Sequence, residues 1–164
     1  MIKKYTLFLF LLFAYNLSSQ KTIDEAIKKY NSNTVGYIKV TELTELLAKN
    51  KEVKLLDARK PAEYEVSRIQ NAIYVGYDLK AVKDAFQPND ILVVYCSIGV
   101  RSEQIGEKLQ EAGYDKVYNL YGGLFEWHNQ GQIIYNAQGQ ETDSIHAYDA
   151  FWGKFITKGI KVHE

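Results

Sequence analysis

Short apolar segments alternate along this chain with segments whose apolar residues recur at helical spacing. The candidate strands are Tyr37–Val40, Val53–Asp57, Ile73–Val75, Ile91–Tyr95 and Lys116–Leu120. Each is followed by a candidate helix, the clearest running from Ser102 to Ala112 with Gly113 as its stop. Strand–helix alternation is typical of a parallel sheet covered by helices on both faces. We therefore predict an α/β fold with a parallel sheet of about five strands.

Composition excludes several classes of function. Twenty basic residues balance twenty acidic ones among 164 residues, so the chain lacks the positive excess that nucleic-acid binding requires. A single cysteine excludes an intramolecular disulfide framework and a two-cysteine redox pair. His128, His146 and His163 share no ligand spacing, so we predict no metal site. The question becomes where the one thiol lies.

The N-terminal segment is typical of a secretory signal peptide. Two lysines near the start precede an apolar run over residues 5–15, and a small polar exit follows. The run is shorter than the roughly 20 residues of a membrane-spanning helix. We predict that residues 1–20 are removed, which leaves an exported protein, periplasmic or secreted, without a stable membrane anchor. Residues 21–35 then form a leading helix and loop, residues 36–135 the main domain, and residues 136–164 a polar linker and a docked helix.

The thiol lies where a strand turns into a helix. Cys96 follows the five-residue apolar segment Ile91–Tyr95, which suits a strand buried on both faces. Ligands of parallel sheets bind at the carboxyl ends of strands, and the N–H groups of the next helix favour an anion there. Gly99 permits the positive φ of a tight loop, and Arg101 adds a permanent charge. This pattern predicts an activated thiolate or an oxyanion cradle.

The segment Cys-x-x-Gly-x-Arg-Ser resembles the active-site loop of the rhodanese-like sulfurtransferases. Two flanking motifs agree with this resemblance: Leu55–Arg59, which is similar to the family's Asp-x-Arg signature, and Tyr118–Trp127, which is similar to its Leu-x-Gly-Gly-x-x-x-Trp segment. The resemblance covers about residues 36–131. Residues 67–72 depart from the family pattern, because Ser-Arg-Ile-Gln-Asn-Ala stands where Gly-His-Ile-x-Gly-Ala is common.

The resemblance implies a rhodanese-like fold and a two-step sulfur transfer. Cys96 would take a sulfane sulfur from thiosulfate or a persulfide and pass it to cyanide or a thiol. Arg101 is the second catalytic candidate and would stabilise the persulfide or the donor oxyanion. The substrate-binding candidates are the other loop residues, Ser97, Ile98, Gly99, Val100 and Ser102. Neither a metal nor an organic cofactor is implied, and the oligomeric state stays open.

Two other functions remain as alternatives. Dual-specificity phosphatases share the fold, but phosphate needs a loop with five residues between nucleophile and arginine, and here four separate Cys96 from Arg101. A non-catalytic binding or regulatory module is the stronger alternative, because fold does not imply activity.

The sequence also predicts the positions of several residues outside the Cys96 loop. Asp57 and Arg59 are supporting candidates that either shape the rim of the site or form a buried ion pair. Glu63 is expected on a solvated helix face, and His128 at the surface. In the tail, we expect a helix whose inner face consists of Ile145, Tyr148, Trp152, Phe155 and Ile156.

Overall fold

The protein is described by a computed structural model over residues 23–49, 52–82 and 85–163. The predicted signal peptide, residues 1–20, lies outside the described residues. The main sheet has five parallel strands in the order β1-β5-β4-β2-β3. These strands are β1 (Tyr37–Ile38), β2 (Val53–Asp57), β3 (Ile73–Tyr74), β4 (Ile91–Tyr95) and β5 (Lys116–Leu120). The predicted fold class is confirmed.

Six helices accompany the strands in the described part of the chain. They are α1 (residues 23–30), α2 (Val40–Ala48), α3 (Pro61–Val66), α4 (Val100–Glu111), α5 (Gly123–Asn129) and α6 (Ala150–Gly153). Within the described ranges, none of them combines the length and the apolar character that a bilayer-crossing helix needs. Pro61 opens α3, where its missing N–H costs no hydrogen bond.

The central strand β4 is buried on both faces and divides the interior into two cores. Leu92 and Val94 pack with Ile105 and Leu109 of α4 on one side. The alternate side chains of the strand, such as Val93, pack on the other side with residues of α1, α2, α5 and the tail. Because both faces of the strand are buried, its sequence is an unbroken apolar run, which predicts the strand directly.

Two predicted helices are not present as predicted. After β3 the described residues form a single 3₁₀ turn, Leu79–Ala81, and Lys83 of the expected helix lies outside them. After α5 come the strands β6 (Ile134–Tyr135), β7 (Glu141–Thr142), β8 (Ser144–His146) and β9 (Ile160–Val162), of which the last three lie in the tail, and only the four-residue α6 lies between β8 and β9. The expected tail helix is therefore wrong.

The physical reason lies in how the tail residues are used. Ile145 belongs to β8, which pairs in parallel with β9, and Tyr148 has φ of +66°, which a helix does not accommodate. Four apolar side chains of the tail are nevertheless buried in the main core, namely Ile145, Ala147, Phe155 and Ile156. The spacing of the apolar tail residues is compatible with a helix, but the pairing of β8 with β9 places Ile145 in a strand.

The start of α5 lies directly behind the loop that follows β4. The backbone N–H groups of Leu124 and Phe125 donate to the carbonyl oxygens of Cys96 (2.8 Å) and Ser97 (3.0 Å). Gly123 has φ of +56°, and a Cβ there would overlap the Cys96 carbonyl oxygen and lie 2.8 Å from the Ile98 nitrogen. This close approach fixes the loop from behind and requires glycine.

We expect Gly123→Ala to destabilise the protein by more than about 3 kcal/mol, because it adds a backbone overlap to the strain of a positive φ. The matched control is Gly139→Ala. Gly139 has φ of +73°, but a Cβ there meets nothing within 4 Å, so the control should lose only about 1 kcal/mol. Urea unfolding measures both values, and equal losses would contradict the proposed overlap.

Candidate active site

Cys96 lies at the end of β4, immediately before the loop that leads into α4. Its side chain is 1% exposed, and its Sγ accepts a hydrogen bond from the Gly99 N–H at 3.2 Å. Gly99 has φ of +98°, which turns this N–H back toward the sulfur. The loop thus curls around the thiol, and the thiol faces the N-terminal end of α4.

Two buried amides hold the Gly99 carbonyl and so fix the loop. Asn119 of β5 donates through Nδ2 at 2.7 Å, and Asn31, after α1, donates at 2.9 Å. The Ser102 hydroxyl donates to Asn119 Oδ1 at 2.8 Å. Sequence reasoning missed both asparagines. Asn119 carried a weak signal, since a polar residue in a buried parallel strand requires a partner.

Arg101 forms a two-pronged salt bridge with Glu63 of α3. Nη1 lies 2.7 Å from Oε2, and Nη2 lies 2.7 Å from Oε1. The same nitrogens also donate to Tyr77 OH (3.2 Å) and Ser97 Oγ (2.8 Å), and Ser97 donates to Glu63 at 2.8 Å. All four hydrogens on the terminal nitrogens of Arg101 are therefore donated within the protein.

Glu63 is completely buried, so the prediction of a solvated face is wrong. Burial alone would raise the pKa of Glu63, but Arg101, the Lys60 backbone N–H and the Ser97 hydroxyl together lower it to about 2. The carboxylate stays charged because these donors replace its lost hydration. One signal was available in the sequence. Glu63 is the third residue of a helix begun by Pro61, where a carboxylate turns back to cap the helix.

The electrostatics of the loop activate the thiol. Burial alone would raise the pKa of Cys96, but the positive charge of Arg101 and hydrogen bonds from the backbone N–H groups of Ser102 and Ile98 bring it below the value of an ordinary thiol. Glu63 faces the other side of the same guanidinium and partly compensates its charge. The site therefore favours a thiolate next to an arginine whose charge is only partly compensated.

A cavity of about 180 Å³ opens onto the thiol. Its lining residues are Cys96, Ser97, Ile98, Val100, Arg101, Tyr148 and Trp152. The structure thus brings together most of the predicted loop residues, whereas Gly99 and Ser102 shape the loop from below. Tyr148 and Trp152 come from the tail, and the sequence analysis assigned them only to packing.

Two cationic side chains contact the ring of Tyr148. Arg101 lies 5.0 Å from the centre of its ring, and the Lys60 ammonium lies 4.9 Å from the same centre. The backbone N–H of Tyr148 donates to Nδ1 of His146 at 3.0 Å, which stabilises its positive φ. The tyrosine ring is therefore fixed over the loop.

Asp57 and Arg59 form an ion pair beneath the site and do not line the cavity. Both side chains have no exposed surface, and Arg59 Nη2 lies 2.7 Å from Asp57 Oδ2. Arg59 also donates to the carbonyl of Ser67, the first residue of the stretch that departs from the family pattern. Of the two predicted roles, the structure shows the buried ion pair.

His128 is buried, so the prediction that it lies at the surface is wrong. It lines a different cavity, together with Asp143 and Lys158. In the part of the chain that the structure describes, no group of three histidine, cysteine, aspartate or glutamate side chains is placed to hold a metal ion.

Comparison with known proteins agrees with this geometry. The sequence model of the rhodanese-like domain matches residues 39–130. A sulfurtransferase from Allochromatium vinosum is 34% identical over 106 residues, which cover 64% of this chain and 99% of that protein. A rhodanese-like domain protein from Staphylococcus aureus has a similar crystal structure, with a TM-score of 0.51 and 30% identity over 59% of this chain and 92% of that one.

A further relative is much longer than this chain. A tRNA uridine(34) hydroxylase from Salmonella newport is 30% identical over 142 residues, which cover 80% of this chain but only 39% of that protein. The similarity therefore concerns one part of the hydroxylase.

Opposite changes of charge around the guanidinium should shift the pKa of Cys96 in opposite directions. We expect Arg101→Gln to raise it, because a positive charge is lost, and Glu63→Gln to lower it, because Arg101 is then uncompensated. The ultraviolet absorbance of the thiolate, titrated against a Cys96→Ser blank, measures both changes. Arg68→Gln is the control, since Arg68 donates instead to the Tyr64 and Ala137 carbonyls. An unchanged pKa in Arg101→Gln would contradict this assignment.

Proposed function

The chain belongs to the rhodanese-like domain family, and from that premise we propose that it is a sulfurtransferase that carries sulfur as a persulfide on Cys96. The observation that carries the proposal is the position of the thiol. It lies at the base of a cavity, beside a helix N-terminus, with its pKa lowered. A buried structural cysteine has no need of such surroundings.

The first half-reaction loads the cysteine. The Cys96 thiolate attacks the outer sulfur of the donor, and the donor's sulfur–sulfur bond breaks. The leaving group departs with the bonding electron pair, as sulfite from thiosulfate or as a thiolate from an organic persulfide. Nothing is oxidised overall, because one sulfur–sulfur bond replaces another.

The second half-reaction unloads it. A cyanide ion or an acceptor thiolate attacks the outer sulfur of the persulfide and forms thiocyanate or a new persulfide. The bonding electrons return to Cys96, which leaves as a stabilised thiolate. A low pKa serves both steps, since the cysteine is the nucleophile of the first and the leaving group of the second.

The loop is suited to a charged sulfur. The backbone N–H of Gly99 already points at Sγ, and the preceding carbonyls of Cys96 and Ser97 are bonded to α5 on the far side of the loop. The donors of the loop therefore face the sulfur while its acceptors face away, as in an anion nest. Arg101 contributes its charge and holds the loop in shape.

Sulfur transfer is favoured over the activity named for the longer relatives. The chain aligns with 99% of the Allochromatium vinosum sulfurtransferase, whereas it covers 39% of the hydroxylase. Its balance of twenty basic and twenty acidic residues also offers no general attraction for RNA.

Intact mass spectrometry of the purified protein tests the proposal. Exposure to thiosulfate, and separately to an organic persulfide, should add one sulfur atom, and cyanide should remove it with release of thiocyanate. Cys96→Ser should gain none. If a reduced and accessible Cys96 takes up sulfur from neither donor, the proposal is wrong and the non-catalytic binding module takes its place.

The N-terminal segment supports export of this enzyme. Its basic start and short apolar run have the composition of a cleavable signal. We expect the protein to be recovered outside the cytoplasm without residues 1–20, as measured by cell fractionation and intact mass. Recovery of the full-length chain in the cytoplasm would contradict export.

A further inference from the structure

We propose that the sulfur donor of this site is an organic persulfide, R–S–SH, whose apolar R group packs on Tyr148 and Trp152, and that thiosulfate is a poor substitute. This inference rests on the proposed function and specifies its substrate class. Three observations carry it: the use of both terminal nitrogens of Arg101 within the protein, the charge around the thiol and the aromatic lining of the cavity.

The first observation is that Arg101 has little left to offer an oxyanion. Its terminal nitrogens donate to Glu63, Tyr77 and Ser97. A thiosulfate sulfonate would have to displace one of these partners, and displacing Glu63 would leave a buried carboxylate without its cation. Among the described residues that line the cavity, Arg101 is the one cation.

The second observation is the sum of the charges. In the sum of formal charges Arg101 and Glu63 cancel, so the Cys96 thiolate leaves the site with a net negative charge, and no other described residue that lines the cavity is a cation. Thiosulfate carries two negative charges and would be desolvated against that thiolate. An organic persulfide carries at most one, on the sulfur that is transferred, and the loop N–H groups face that sulfur.

The third observation is the roof of the cavity. Tyr148 and Trp152, which we call the roof, line it together with Ile98 and Val100, so most of its lining is apolar. A thiosulfate ion has no apolar surface to place there, whereas a hydrocarbon group next to the reacting sulfur does. Aromatic side chains supply such contacts at low entropic cost.

The roof is a built element of the structure. Trp152 packs edge to face with Tyr30 of α1 at 5.5 Å between ring centres and also lies against Phe155 at 5.9 Å. The backbone N–H of Trp152 donates to Asp149 Oδ1 at 2.9 Å. Tyr148, held by Lys60 and Arg101, completes it. Tyr30, Tyr148 and Trp152 all lie outside the family-matched residues 39–130.

The proposed loading step is balanced. The Cys96 thiolate forms a bond to the terminal sulfur of R–S–SH, and the sulfur–sulfur bond of the donor breaks. The R–S⁻ thiolate leaves with the electron pair, and the proton stays on the transferred sulfur, so the product is Cys96–S–SH. No oxidant or reductant is consumed.

The test compares donors that differ only in the R group. Methyl persulfide and benzyl persulfide are offered separately to the purified protein, and thiosulfate is offered in parallel. Stopped-time intact mass measures the rate at which Cys96 gains sulfur. We expect benzyl persulfide to load about tenfold faster than methyl persulfide, and thiosulfate to load more slowly than either.

Variants of Trp152 test whether this residue contacts the R group of the donor or only supports the fold. Trp152→Ala should remove the advantage of benzyl over methyl persulfide, so that the ratio of the two loading rates falls from about tenfold to about one. Trp152→Phe should retain most of the advantage. Ile160→Ala is the matched control, because Ile160 is an exposed apolar tail residue that does not line the cavity, and it should behave as wild type.

The outcomes distinguish this inference from the function on which it rests. Equal loading by both persulfides, or thiosulfate loading at least as fast as benzyl persulfide, would overturn the donor assignment while sulfur transfer stands. An equal loss for all donors in Trp152→Ala would make the roof merely structural and overturn it too. No loading from any donor would overturn the proposed function and the donor assignment together.

Discussion

The salt bridge between Glu63 and Arg101 is the interaction on which the site depends. A fully buried carboxylate is costly unless its lost hydration is replaced, and here Arg101, Ser97 and the Lys60 N–H replace it. The pair ties α3, which follows β2, to the first turn of α4, which follows β4. The loop between β4 and α4 therefore keeps its shape because a helix from the neighbouring strand holds it.

This arrangement separates the charge of Arg101 from its hydrogen-bond donors. The charge still acts on Cys96 through space and lowers the pKa of the thiol, but the donors are used inside the protein. In the proposed sulfur transfer, a charged sulfur would be recognised by backbone N–H groups, whose direction is set by Gly99 and by the α5 contacts behind the loop. Such donors suit one added sulfur better than a large oxyanion.

The sequence predicted the features that short-range patterns specify. The five strands and the position of Cys96 between strand and helix follow from local periodicity. The family was indicated by the resemblance of three short motifs to those of the rhodanese-like sulfurtransferases. Glu63 and Asn119 were missed as site residues because their roles depend on partners 38 and 20 residues away. The tail was misread for a related reason. Apolar residues buried from several directions imitate a helical stripe, and only the pairing of β8 with β9 shows that they belong to strands.

The cavity is built partly from the family-matched segment and partly from the tail. The nucleophile, its loop and the arginine lie within the family-matched segment, so the chemistry is set there. The roof of the cavity lies beyond it, in Tyr148 and Trp152, and it is supported by Tyr30 on the N-terminal side. Four of the five N–H donors of Arg101 are used within the protein. Under the proposed donor assignment, the flanking segments would therefore contribute more to the choice of donor than the loop does.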